Sequence, residues 1–79
     1  MDKEKLYKKM SESCGHHAII AIVGKNNVSG YVDVFESRYD NEDEEDSEIR
    51  GKGTICFFPD DGEPMLLTEG DIQSIEITD

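Results

Sequence analysis

The sequence predicts a mainly β fold: one short N-terminal helix, then a five-stranded, strongly bent antiparallel small barrel. Three observations carry this. Valine- and isoleucine-rich stretches of strand length recur from Ala18 to Ile77, and β-branched residues favour extended backbone. Clusters rich in Gly, Pro, Asn and Asp punctuate them, notably residues 24–27 and 59–64. Gly30 falls in the middle of the second stretch, where a strand that curls round a small barrel needs a bend or a close backbone approach.

Residues 2–14 read as the helix. Asp2 is placed to cap it, because its carboxylate accepts from free N–H groups of the first turn. Leu6, Met10 and Cys14 recur every four residues as a narrow apolar stripe, Lys8 and Lys9 lie towards the C-terminal end, and Gly15 sits where a left-handed residue is wanted. So short a helix is marginal alone, so the stripe must dock. The run Ala18-Ile19-Ile20-Ala21-Ile22-Val23 is a strand apolar on both faces, one for the core and one for the helix or a neighbouring subunit. Gly24-Lys25-Asn26-Asn27 is a hairpin turn.

The second strand spans residues 28–36. Strict alternation puts Val28, Gly30, Val32 and Val34 on one face and Ser29, Tyr31, Asp33 and Phe35 on the other. Residues 37–48 form an acidic flexible loop, since charges of one sign repel and favour extended, solvated chain. A third strand is expected from about Ile49 to Phe58, a fourth from Met65 to Thr68 and a fifth from Ile72 to Thr78, the last two joined by the tight link Glu69-Gly70-Asp71. With 79 residues, the chain is one domain, 1–79, whose core is small for a large catalytic cleft.

Charge narrows the function classes. The net charge is −11, and residues 33–48 hold nine carboxylates against one Arg. Phosphate contacts need Lys or Arg, so nucleic acid is a disfavoured partner, and anionic membranes are equally disfavoured. No apolar stretch is long enough to span a bilayer. Residues 1–10 are charged throughout and lack the apolar core of a signal peptide, which predicts a cytoplasmic protein with Cys14 and Cys56 reduced.

One helix, five short strands, a Gly inside the second strand and an almost turnless link between the fourth and fifth resemble the Sm-like family of small, SH3-like barrels. The first family motif has a strand Gly, an acid and a Met-Asn pair. Gly30, Glu36, Tyr39 and Asp40 stand at those places, with Asn41 one place late. The second motif, Ile-Arg-Gly, has Leu67-Thr68-Glu69-Gly70-Asp71-Ile72 as its counterpart by position. Ile49-Arg50-Gly51 matches it better in letters, but too much chain would then follow a nearly finished barrel. The C-terminal segment also resembles small Sm-like proteins of Firmicutes. The resemblance implies rings assembled by joining edge strands, hence a homo-oligomer. In RNA-binding members the Asn and Arg of the motifs hold a base and the backbone. Here Asp40 and Glu69 put carboxylates at those places, with Asn41 and Gly70 beside them.

No motif for chemistry emerges. Cys14, His16, His17 and Cys56 lack the ligand spacing of a zinc site, and adjacent strand residues point to opposite faces. Cys14 has no motif-supplied orienting group or oxyanion site. The acidic run lacks the register of a calcium loop, and no Gly-rich phosphate loop is present. No cofactor, catalytic residue or metal ligand is therefore expected. Tyr31, Asp33 and Phe35 read either as packing against the helix or as part of a protein-binding surface. Asp40, Glu42, Asp43, Glu44, Glu45 and Asp46 read either as a solubilising loop or as a surface for a basic protein partner. The sequence thus favours a non-enzymatic protein-binding or oligomeric scaffold module. The alternatives are an acidic nucleic-acid mimic that occupies a basic groove and, third, an RNA-binding Sm-like protein.

Overall fold

The computed structural model describes residues 2–79. Its elements are α1 (Lys3–Ser13), β1 (His17–Ile22), β2 (Val28–Glu36), β3 (Thr54–Pro59), β4 (Met65–Thr68) and β5 (Ile72–Ile77). The strands form one antiparallel sheet in the order β4-β3-β2-β1-β5. The sheet is open: β4 and β5 are its two edges, and no ladder joins them.

The expected helix forms, one residue shorter at each end. The Asp2 carboxylate accepts from the Glu4 N–H at 2.8 Å, which caps the first turn. Leu6, Met10 and Ser13 are buried, whereas Cys14 is exposed at the C-cap, so the third position of the buried stripe is Ser13 and not Cys14. The buried Ser13 hydroxyl donates to the Met10 carbonyl at 2.7 Å. Gly15 follows with φ +84°, as a chain reversal at a helix end requires.

Ala18, Ile20 and Ile22 of β1 point into the core with Val32, Ile55, Phe57, Leu67, Ile72 and Ile75, and α1 lays Leu6 and Met10 over them. Each of these side chains larger than Ala18 contributes about 1.5–3 kcal/mol on burial. The other face of β1, Ile19 and Ala21, is half-buried. Gly30 lies opposite Pro59, and a Cβ there would run into the Phe58 carbonyl oxygen and lie 2.7 Å from the Pro59 Cα. The glycine therefore marks a close backbone approach.

Two expectations are corrected. The β2–β3 register slips between Val32 and Val34, so Asp33 is an extra residue in the strand. The alternation flips there: Val34 is exposed and Phe35 packs against the core. Tyr31 and Phe35 consequently do not share a face. The third strand begins at Thr54 and not Ile49, because residues 46–52 wind into turns closed by bonds such as Arg50 N–H to Asp46 O, 2.9 Å, and Lys52 N–H to Ile49 O, 2.9 Å.

Candidate functional site

Three segments converge on Arg38, which leaves β2 and opens the acidic loop. Its Nε donates to Glu69 Oε2 at 2.9 Å and its Nη2 to Glu69 Oε1 at 2.7 Å, a two-pronged pair across the β4–β5 link. The guanidinium carbon lies 4.0 Å from the ring centroid of Tyr7 on α1, and Glu4 Oε1 sits 3.0 Å from Nη1. The Arg38 N–H donates to the Tyr7 hydroxyl at 3.0 Å. Phe35 meets the Tyr7 ring edge-on at 5.6 Å.

Glu69, 6% exposed, also accepts from the Gly53 N–H at 2.6 Å. Gly53 is obligatory, because a Cβ would stand 2.6 Å from the Tyr7 ring. The hydrogen bond from Arg38 is the chief cause that holds the Glu69 carboxyl below the usual carboxylate range, and burial opposes it. Both carboxylate oxygens are occupied, so this group is a clamp and not a free base or an anion receptor. Glu69 thus sits where the resemblance placed a ligand-facing residue, but it is turned inward and neutralised. Gly70 lies exposed in the turn beside it, its N–H donating to Thr68 Oγ1 at 3.2 Å.

Asn41 is likewise turned inward. It is 2% exposed; its Nδ2 donates to Lys52 O at 2.8 Å and to Thr54 Oγ1 at 3.2 Å. Its carbonyl accepts from the Gly51 N–H at 2.9 Å, which closes the neck of the loop. Asp40 is exposed, and its carboxylate accepts from the Ser37 N–H at 2.9 Å.

The acidic loop is not an extended chain but a succession of turns. Arg50 of the Ile49-Arg50-Gly51 triplet holds it together: Nε donates to Glu44 O at 2.6 Å and Nη2 to Glu45 O at 2.8 Å. Glu42, Asp43, Glu44, Glu45 and Asp46 are all exposed, and Asp46 Oδ1 accepts from the Glu48 N–H at 2.9 Å. Thr68-Glu69-Gly70, and not the Arg50 triplet, therefore occupies the link between the last two strands.

The histidines diverge. His16 Nδ1 lies 2.8 Å from Asp79 Oδ1, and His17 Nε2 lies 3.3 Å from Asp60 Oδ1. The His17 N–H to Asp79 Oδ2 at 3.0 Å, followed by His16, holds the Asp79 carboxyl below its usual range. Cys14 Sγ donates to the Asp33 carbonyl at 3.4 Å, and Cys14 and Cys56 are both free thiols. Among the described residues no three His, Cys, Asp or Glu side chains converge as a metal-ligand set. No helix among them is long and apolar enough to cross a membrane.

Two surfaces remain. A groove of about 380 Å³ runs along the β4 edge, lined by Ile22, Val23, Met65, Leu66, Leu67 and Lys25, among others. On the sheet's outer face Tyr31 and Asp33 are exposed, with Val34, Phe58 and Leu66 beside them. Alternation alone hides this grouping, since it assigns Val34 to the core, and no residue type announces the bulge that turns it out. The chain matches no family model, no curated protein and no solved structure at a significant level.

Proposed function

We propose that the chain is a non-enzymatic, Sm-like small-barrel module that works by binding protein, first of all further copies of itself. The observation that carries this reading is the pair of free edges. β4 and β5 each lack a neighbouring strand on one side; on β4 Asp71 already bonds both outward groups of Thr68, which leaves those of Leu66, and a groove with Lys25 and Asp71 among its apolar lining borders β4. Free edges are a liability that pairing resolves. If β4 of one copy pairs with β5 of the next, every edge in a closed ring is satisfied. The strand order and the leading helix support the Sm-like reading. The inward, neutralised Glu69 and the buried Asn41 speak against an RNA site built at those places.

The test is native mass by light scattering on a sizing column, at low and at high salt. Backbone pairing with apolar contacts is insensitive to screening, so a mass several times 8.9 kDa is expected in both. A monomer in both conditions refutes the ring.

A second reading, an acidic mimic of nucleic acid, has its own support in the loop. Arg50 spends its donors on backbone carbonyls and leaves Glu42, Asp43, Glu44 and Glu45 exposed along wound turns. A basic partner would then be released by salt. Changing these four to Gln or Asn abolishes capture of such a partner under mimicry and leaves a ring intact. Asp40 and Asp46 are better spared, because both accept hydrogen bonds that shape the loop.

A further inference from the structure

Four large apolar side chains that stand exposed lie on the outer face of the sheet: Tyr31 (38%), Val34 (44%), Phe58 (42%) and Leu66 (51%). The register brings them together. Tyr31 of β2 faces Phe58 of β3, and Val34 of β2 faces Cys56 of β3, which faces Leu66 of β4. Facing side chains in neighbouring strands lie about 4.5–5.5 Å apart at Cβ, so these five residues form one continuous patch across three strands. The core side chains Val32, Ile55, Phe57 and Leu67 point the other way, under α1. The bulge at Asp33 builds the patch, because without it Val34 would point inward. Contiguous exposed apolar surface is a place where a protein partner can bury side chains.

The charges around the patch select its occupant. The segments that carry it, residues 31–36 and 58–66, contain Asp33, Glu36, Asp60, Asp61 and Glu63 and no Lys or Arg, so that acids outnumber the nearby bases, Lys25 in the groove beside Leu66 and His17 against Asp60. All five acids are exposed. A second copy stacked face to face would set carboxylate against carboxylate, and juxtaposed like charges oppose association. An anionic membrane is repelled for the same reason. A protein segment that presents apolar side chains flanked by Lys or Arg satisfies both the patch and its rim.

We propose that the outer face of β2-β3-β4 docks a basic amphipathic protein segment, with Tyr31, Val34, Phe58 and Leu66 as the apolar floor and Asp33, Glu36, Asp60, Asp61 and Glu63 as the charged rim. This rests on the protein-binding reading but uses the outer face of the sheet, which shares only Leu66 with the groove along β4. Edge pairing adds strands in the plane of the sheet and leaves this face open.

The experiment titrates the full ¹⁵N-labelled chain with a synthetic peptide of alternating Ile and Lys, and with its counterpart in which Glu replaces every Lys. Amide shifts locate the site and fluorescence anisotropy measures affinity. The Lys peptide is expected to bind and to shift Tyr31, Val34, Phe58 and Leu66, while the Glu peptide does not bind. The double variant Val34→Ser/Leu66→Ser keeps the charge, and its dispersed amide spectrum verifies the fold; it should bind about tenfold or more weakly, the loss of roughly 1.4 kcal/mol of contact. The variant Glu42→Gln/Asp43→Asn/Glu44→Gln/Glu45→Gln should bind nearly as the parent does. Absence of binding, shifts confined to residues 42–48, or unchanged affinity in the Val34/Leu66 variant overturns the proposal. A chain that assembles by light scattering yet ignores the peptide loses only this face; one that binds the peptide as a monomer loses only the ring.

Discussion

Arg38 grips both carboxylate oxygens of Glu69, and the two residues thereby tie the start of the acidic loop to the link between β4 and β5. Tyr7 lies against the guanidinium at 4.0 Å, so α1 joins the same knot. Arg has the planar fork this geometry needs; Lys offers a single point charge and cannot bridge both oxygens while lying over the ring. The pair is half-wet, with Glu69 buried and the Arg38 side chain 34% exposed. That position separates it from a surface salt bridge of little consequence.

Removing one partner should be costly. Glu69→Ala leaves Arg38 uncompensated and takes the acceptor from the Gly53 N–H. The expected loss is about 2–4 kcal/mol in urea unfolding. Arg38→Ala should cost less, since its charge leaves with it, and the double variant should fall short of the two losses added together. Strict additivity in that cycle would mean that the pair is not coupled.

The same contact sets a pH dependence. The Glu69 carboxyl is held below the ordinary value by Arg38. A group whose folded pKa is depressed contributes stability that is fully present above its unfolded value, about 4.3, and is lost as pH falls through the folded value. Stability should therefore decline between neutral pH and pH 3 more steeply in the parent than in Glu69→Gln, which cannot titrate. Asp79, also held low, contributes in the same direction in both proteins, so the difference isolates Glu69. Parallel declines would contradict the assignment.

Two glycines should respond very differently. Gly30→Ala drives a methyl group against the backbone of Phe58 and Pro59 and leaves the Phe57 ring only 2.8 Å away. Backbone cannot swing aside as a side-chain tip can, so a loss of about 1–3 kcal/mol or more is expected. Gly70→Ala meets nothing closer than Thr68 Oγ1 at 3.7 Å, and should stay within about 0.5 kcal/mol of the parent. Thermal midpoints of the two variants would check this directly.

These positions also show how much was legible in the sequence. The helix with its Asp2 cap, the apolar run of β1, the close approach at Gly30 and the tight turn after Thr68 all follow from local rules, and all are present. Asp33 defeated the alternation rule because a bulge is a property of two strands in register, and one strand read alone has no register. Along the chain Arg38 is a lone base among acids. Its partner lies 31 residues away, and Tyr7 lies 31 residues away on the other side. Like charges also suggested an extended loop. The side chain of Arg50, bonded to two backbone carbonyls, and the amide of Asn41 wind it into turns instead.

Asn41 is where that winding can be tested. Its amide group supplies two hydrogens to acceptors, Lys52 O and Thr54 Oγ1, from a site that is almost fully buried. Asn41→Ala leaves the Lys52 carbonyl without its donor, at a cost of about 1–3 kcal/mol. Asn41→Asp is nearly the same shape and should be worse, because it turns a charged acceptor towards the carbonyl that needs a donor and buries one more negative charge among acids. The neck of the loop should then open first, while β1, β2 and β5 hold. Hydrogen exchange at Gly51, whose N–H bonds to the Asn41 carbonyl, should quicken in both variants and most in Asn41→Asp. Proteolysis within residues 42–48 should follow the same order. If Asp is tolerated as well as Asn, the amide is not what closes the loop, and the turns must hold by Arg50 alone.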